Sequence, residues 1–293
     1  PDTRLEVLDF IATLQAPSLP RNLVSFLLLV VGLAMLVGGA ELLVRGGGGL
    51  ALALKVPALI VGLTVVAFGT SAPELAVSVS AALGPDGSTE AALANVTGSN
   101  IANILLVLGF ATLVRPLVID QGLIRREIPA LLIVQLTVPL MCLDEVITWW
   151  EGLILLAMGL FYNGLLVRQA LKDRSAALDA EIPDEVGNAD KQPLWLQILM
   201  LVGGLATLVI GAQLFVDASF EIATWLGFSK RFIGLTVIAL GTSAPEIVTG
   251  AVSAWRGETE LAFGNSIGSN LLNITMVLSL TALVRPIAFE DGG

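Results

Sequence analysis

Long apolar stretches with few or no charges recur along the chain. Ala91–Val114, Pro193–Val216 and Leu261–Val284 contain no Lys, Arg, Asp or Glu, and Leu23–Val44 contains only Glu41. A helix rises about 1.5 Å per residue, so each is long enough to cross roughly 30 Å of hydrocarbon. Val56–Leu83 and Phe232–Trp255 are apolar except for one Glu apiece, and two shorter runs, Ile128–Leu143 and Gly152–Val167, complete the set. The pattern predicts an all-α polytopic membrane protein with eight spans. Residues 1–22 form an N-terminal segment. Residues 23–170 form a first transmembrane half, and 193–293 a second. Residues 171–192, rich in Asp, Glu, Ala and Pro, read as a solvated loop between the halves.

Composition sharpens this. The chain is 55% hydrophobic and 14% charged, against roughly 45–50% and 25% in soluble domains. It has no histidine, which excludes an imidazole base, a Ser-His-Asp triad and His-ligated zinc. Cys142 is alone and cannot form an internal disulfide. The net charge of −10 argues against nucleic acid and suits cationic partners. Nothing in the sequence calls for a cofactor or an obligatory protein partner. The first 20 residues lack the basic and apolar regions of a cleavable signal peptide.

Weaving eight spans places ten of the 15 Lys and Arg residues on one side, among them Arg45, Arg115, Arg168, Lys191 and Arg256, and five on the other, Arg4, Arg21, Lys230, Arg231 and Arg285. The positive-inside rule makes the first side cytoplasmic, which puts the N-terminus outside and the central loop inside a cell (inner) membrane.

Gly62–Glu74 reads GLTVVAFGTSAPE and Gly234–Glu246 reads GLTVIALGTSAPE, 11 identities in 13 positions. Further on, Asn95, Gly98, Ser99, Asn100 and Asn103 answer to Asn265, Gly268, Ser269, Asn270 and Asn273. Each repeat is a pair of spans, at about residues 57–114 and 229–284. Five crossings separate the copies, so they enter the membrane from opposite sides. Inverted repeats with Gly/Pro interruptions at matching places point to the midplane binding site of a transporter. The symmetry also predicts a ten-span protein of which this chain lacks two C-terminal helices, roughly 44 residues.

Pro73 donates no backbone hydrogen bond and disturbs the turn before it, so carbonyls near Ala67–Thr70 are expected to lose helical partners. Ser71 with Glu74, and Ser243 with Glu246, also read as capping boxes. Each Glu nevertheless lies deep in a span, where a carboxylate is expensive and functional. No Lys, Arg or His lies within a span to neutralise Glu74 or Glu246, so the countercharge is a bound cation or a proton. Two carboxylates with oxygens from Thr70 and Thr242 approach the donor set of Ca²⁺ and also suit Na⁺. With neither thiolate nor imidazole at hand, soft metals are disfavoured. Ser99 and Asn103 share a helix face, as do Ser269 and Asn273; helix-packing glue is their alternative role. Glu41 is expected to pair with Arg45 near the end of the first span.

At these residues the sequence resembles the cation/calcium exchanger superfamily, whose hallmark is two inverted repeats carrying G-T-S-x-P-E and G-S-N-x-x-N. The resemblance implies four ion sites. Glu74 and Glu246 would be the central carboxylates, Thr70, Thr242, Ser71 and Ser243 hydroxyl ligands, and Ala67 and Ala239 carbonyl donors. Ser99 and Ser269 would serve outlying sodium sites, with Asn103 and Asn273 flanking the middle. Proton-coupled relatives tend to carry Asn where Thr70 and Ser71 stand, so the pattern is similar to the sodium-coupled branch. Potassium-dependent relatives carry Asp in place of Asn273. The short central loop is similar to the bacterial or archaeal type.

The expectation is an antiporter exchanging Na⁺ for Ca²⁺ by alternating access, with the lipid bilayer as its surroundings. Calcium/proton exchange is the alternative within the superfamily. An intramembrane hydrolase using the two carboxylates as an acid/base dyad is the alternative of another class.

Overall fold

Apolar stretches this long fold as helices because lipid leaves backbone N–H and C=O groups no partner outside the segment. The computed structural model describes residues 21–84, 89–117, 121–179, 193–228 and 239–288. Helix α1 is Arg21–Leu54. The second span comprises α2 (Ala58–Val61), a π turn Gly62–Val66, α3 (Ala67–Thr70) and α4 (Ala72–Leu83), and bends by 41° at Ser71. The third comprises α5 (Glu90–Ala102), a π turn Asn103–Val107 and α6 (Leu108–Val114). Then come α7 (Gln121–Met141), α8 (Trp149–Asp179) and α9 (Leu194–Trp225). The second repeat holds α10 (Ala239–Thr242), α11 (Ala244–Arg256), α12 (Thr259–Leu272), a π turn Asn273–Leu278 and α13 (Ser279–Val284).

Among the described residues six helical segments are long and apolar enough to cross a membrane, and the bent pair in the second span makes a seventh. The expected seventh span, Phe232–Trp255, includes residues 232–238, which lie outside the described residues; α10 and α11 are the part of it described. Helix α8 continues to Asp179, so the first nine residues of the expected loop at 171–192 are helical. Lys172, Arg174, Ala176, Ala177 and Leu178 are good helix formers and carry the helix on.

Helices α1 and α9 form one close seam. Gly32 faces Gly211 and Phe215, Gly39 faces Gly204 and Leu208, and Gly46 faces Gln197 and Leu201. The numbers rise in one helix as they fall in the other, so the two run antiparallel. Small residues let helix backbones approach closely in a membrane. The run Gly46–Gly49 therefore serves contact and does not break α1, which ends at Lys55, left-handed at φ 56°, before Pro57.

Helices α5 and α12 meet through a reciprocal pair. Asn100 Nδ2 donates to the Asn270 carbonyl at 3.3 Å, and Asn270 Nδ2 to the Asn100 carbonyl at 3.2 Å. These are repeat-related residues, and their π turns begin at the equivalent positions Asn103 and Asn273. Thr259–Val284 lies at the centre of the fold, 78% buried against 33% or less for the other long spans. That position explains how a membrane helix carries Asn265, Ser266, Ser269, Asn270 and Asn273, all fully buried. Gly62, Gly264 and Gly268 bring it against the second span.

Further contacts join segments distant in the chain. Arg45 and Arg256 both bond Glu41, and Gly257 lies against Arg115. Elsewhere Ser25 Oγ donates to Glu221 Oε2 at 2.5 Å. Val146–Ile147 (β1) pairs antiparallel with Ile287–Ala288 (β2). This pairing was not expected from the sequence, since two residues are too short for an alternating pattern to register.

Candidate ion-binding site

The site lies where the two Gly-Thr-Ser-Ala-Pro-Glu segments meet α5 and α12. Ser71 has φ −83° and ψ 3°, Ser243 has φ −86° and ψ 1°, and neither side chain caps the helix that follows. The expected capping boxes are absent: Ser71 Oγ reaches instead across the repeats to Glu246 Oε1 at 3.5 Å, and Ser243 Oγ donates to Ser99 Oγ at 3.3 Å. Proline at the second position of each following helix lets the chain bend without losing a donor there. Ala67's carbonyl keeps a helical partner, the Ser71 N–H at 3.0 Å, and lies 3.3 Å from Thr70 Oγ1, whose proton has a shorter bond to Asn265. The bend therefore leaves Ala67 satisfied within the helix.

Glu74 and Glu246 are fully buried. Ser99 Oγ donates to Glu74 Oε1 at 3.2 Å, and Ser99 Oγ also accepts from Asn273 Nδ2 at 3.2 Å. A serine of the third span thus joins the first carboxylate to both Ser243 and Asn273 of the second repeat. Asn273 Nδ2 donates further to Asn100 Oδ1 at 3.0 Å. On the other flank Thr70 Oγ1 donates to Asn265 Oδ1 at 3.0 Å and lies 3.3 Å from Ser269 Oγ.

What this network leaves over is as telling as what it joins. Glu74 Oε2, Glu246 Oε2, Asn273 Oδ1 and both polar side-chain atoms of Asn103 are buried without a hydrogen-bond partner among the described residues. No Lys or Arg of the described residues forms an ion pair with either carboxylate. An unpaired buried carboxylate oxygen is costly. A cluster of acceptor oxygens without a protein cation is what a hard cation neutralises. Beside Ser71 a cavity of about 30 Å³ lies among Phe68, Leu75, Leu272 and Met276.

Ten of the residues expected from the sequence converge here: Glu74, Glu246, Thr70, Ser71, Ser243, Ala67, Ser99, Ser269, Asn103 and Asn273 are buried in this region. Thr242 precedes Ser243 and is buried, and Ala239 opens α10. Sequence reasoning missed Asn265 as the partner of Thr70, and Asn100 and Asn270 as the pair that joins the repeats. Their signal was present, since all three fall within the duplicated motif. Glu41 pairs with Arg45 as expected and with Arg256 as well.

Six long apolar helical segments, a bent span and two buried carboxylates that no Lys or Arg of the described residues pairs are the features of a helical membrane protein with a buried acidic site. The family profile described as sodium/calcium exchanger protein matches residues 24–167 and 196–292, and the chain belongs to that family. Inner membrane protein YrbG of Escherichia coli (strain K12) is 37% identical over 266 residues, covering 88% of this chain and 79% of YrbG. Sodium/calcium exchanger MaX1 of Methanosarcina acetivorans is 30% identical, covering 92% and 85% respectively. Among solved structures, the sodium-calcium exchanger NCX_Mj soaked with zero Na⁺ and Ca²⁺ superposes with a TM-score of 0.77 at 28% identity, covering 92% of this chain and 85% of that one.

Proposed function

We propose that the chain exchanges Na⁺ for Ca²⁺ across a cell membrane by alternating access, with Glu74 and Glu246 as the shared ligands. The observation that carries this is the pair of buried carboxylates, each holding one oxygen on a serine of another helix and leaving the other unpartnered. Thr70, Ser71, Thr242, Ser243, Ser99, Ser269, Asn103 and Asn273 complete the ligand region, with the carbonyls of Ala67 and Ala239. Ca²⁺, or several Na⁺, neutralises the pair. Only the neutralised site crosses between outward and inward states, because two bare charges in the low-dielectric centre oppose the movement. Competition for the same oxygens makes the process an exchange.

Inverted topology with eight spans accompanies this reading. It is supported by the antiparallel α1–α9 seam, by the reciprocal Asn100–Asn270 pair, and by contacts between residues that the charge count assigns to the same side. Arg45 and Arg256, which share Glu41, and Arg115 with Gly257 are assigned to the cytoplasmic side, and β1 with β2 to the outside. The inner-membrane assignment is supported by the E. coli relative's name and by the distribution of Lys and Arg.

Titration calorimetry of the purified protein tests the shared site. Ca²⁺ should bind, and Na⁺ should displace it where choline at equal ionic strength does not. Ca²⁺ binding indifferent to Na⁺ would overturn the shared-ligand reading and favour calcium/proton exchange.

A further inference from the structure

Hydroxyl side chains inside membrane helices usually bond to a carbonyl one turn back. Thr64 donates to Ile60, Thr207 to Gly203, Thr275 to Leu271 and Thr281 to Val277. Others bond across helices, Ser99 to Glu74 and Ser266 to the Asn103 carbonyl. Two residues of α11 do neither. Thr249 and Ser253 are fully buried, yet Thr249 Oγ1 and Ser253 Oγ have no hydrogen-bond partner among the described residues.

Their placement gives this meaning. Glu246, Thr249 and Ser253 are spaced three and four apart and so share one face of α11. The flanks of that face are occupied. Val248 and Val252 pack with the apolar cluster of α1 and α9; a Cβ on Gly250 would lie 2.6 Å from Val107 Cγ1; Ala254 packs with Ala111 and Ala262. What remains is a narrow polar stripe, about 10 Å long at the helical rise, from the carboxylate toward the Arg256 end of the helix. Helix α12, packed against it, adds Asn265, fully buried and with Nδ2 unpartnered.

The first repeat lacks this stripe. The positions equivalent to Thr249 and Ser253 are Val77 and Ala81. Ser78 there is taken up by Asn95, whose Nδ2 donates to Ser78 Oγ at 3.0 Å and to the Glu74 carbonyl at 3.2 Å. Asn265 has no such hydroxyl to hold, since Gly250 stands where Ser78 does. Hydroxyl oxygens left free on one half of a duplicated fold are therefore not a by-product of the repeat.

We propose that Thr249 and Ser253 form a hydroxyl ladder along which the transported cation passes between Glu246 and the aqueous face at the Arg256 end of α11. At that mouth Glu41 is shared by Arg45 and Arg256, and Glu258 lies beside Gly48, so carboxylates accompany the arginines there. Each hydroxyl replaces part of the cation's hydration for one helical turn, and neither holds a charge that would trap it. The ladder rests on the exchange reading for the identity of its cation.

The test uses the full chain in proteoliposomes with Cys142→Ser as background, so that introduced thiols are alone. Ser253→Cys and Thr249→Cys should react with a membrane-impermeant thiol reagent from the cytoplasmic face, and Ca²⁺ should slow the reaction. Val252→Cys, facing the apolar cluster, should not react. In parallel, Thr249→Val and Ser253→Ala should lower the maximal rate of Na⁺-driven Ca²⁺ uptake on the order of tenfold, the loss of one hydrogen bond to a charged group, with calorimetric Ca²⁺ affinity unchanged. Unreactive thiols at both positions, or uptake at parental rate in both variants, would overturn the ladder while leaving exchange intact. A parent without Na⁺-driven uptake would overturn the exchange reading instead, and the labelling with its Ca²⁺ protection would still decide whether the stripe conducts cations.

Discussion

Glu74 and Glu246 are each held by one oxygen and free at the other, and what their charge does can be separated from what their shape does. Glutamine keeps the size and most of the hydrogen bonding of the side chain, so Glu74→Gln and Glu246→Gln should leave the protein folded. Removing one partner of a buried charge interaction costs about 3–5 kcal/mol, so Ca²⁺ exchange should fall at least about 100-fold in either variant, measured as tracer uptake. Retained uptake in either would remove that residue from the ligand set. Asn273 binds Ser99 and Asn100 through its amide nitrogen and leaves its oxygen unpartnered. Asn273→Asp places a third carboxylate there without a protein countercharge, so an extra proton or cation should be recruited and uptake should become more dependent on pH or on K⁺. Unchanged dependence on both would move Asn273 away from the ions. Most of this region was legible from the duplicated motif, because a carboxylate deep in an apolar run is anomalous wherever it occurs. Asn265 was harder to assign. It is the counterpart of Asn95, whose Nδ2 donates to Ser78, yet its own Nδ2 has no partner among the described residues because Gly250 stands where Ser78 does; its Oδ1 accepts from Thr70.

At the scale of elements the fold depends on where helices come close. Gly38 and Gly39 make the clearest contrast, since they are adjacent in α1 and differ only in what they face. A Cβ on Gly39 would lie 2.8 Å from the Gly204 carbonyl and from the Leu208 nitrogen, whereas one on Gly38 would meet nothing within 4 Å. Gly39→Val should therefore destabilise the purified protein by about 1–3 kcal/mol, the usual cost of overpacking, seen as a lower midpoint in thermal unfolding in detergent. Gly38→Ala should leave the midpoint unchanged or raise it, because alanine is the better helix former. Equal midpoints for the two variants would mean that the α1–α9 seam does not pack as described. The helices themselves were legible as apolar runs, and the break at Ser71 followed from Pro73. The extension of α1 to Leu54 was not, because the apolar run ends at Val44 before Arg45 and four glycines, and what carries the helix on is their packing against α9 and the second repeat. The β1–β2 pairing was invisible for a related reason: each strand exists only because the other is there.

For the whole molecule, the duplicated motif underlies the proposal that one membrane site is approached from two sides, since eight spans would place an odd number of crossings between its copies. The positive-inside expectation needs only the order of the apolar runs and the charges. The central place of Thr259–Val284 was not legible, since hydropathy distinguishes membrane from water but not the middle of a bundle from its rim. Its cluster of Asn and Ser residues was the available hint. If Na⁺ moving one way drives Ca²⁺ the other, tracer Ca²⁺ uptake into sealed proteoliposomes loaded with Na⁺ and diluted into Na⁺-free medium shows it directly. Uptake should begin on dilution, collapse when Na⁺ is equal on both sides, and fail to appear when an imposed pH difference replaces the Na⁺ gradient. Uptake driven by the pH difference alone, or no uptake under either gradient, would contradict the account.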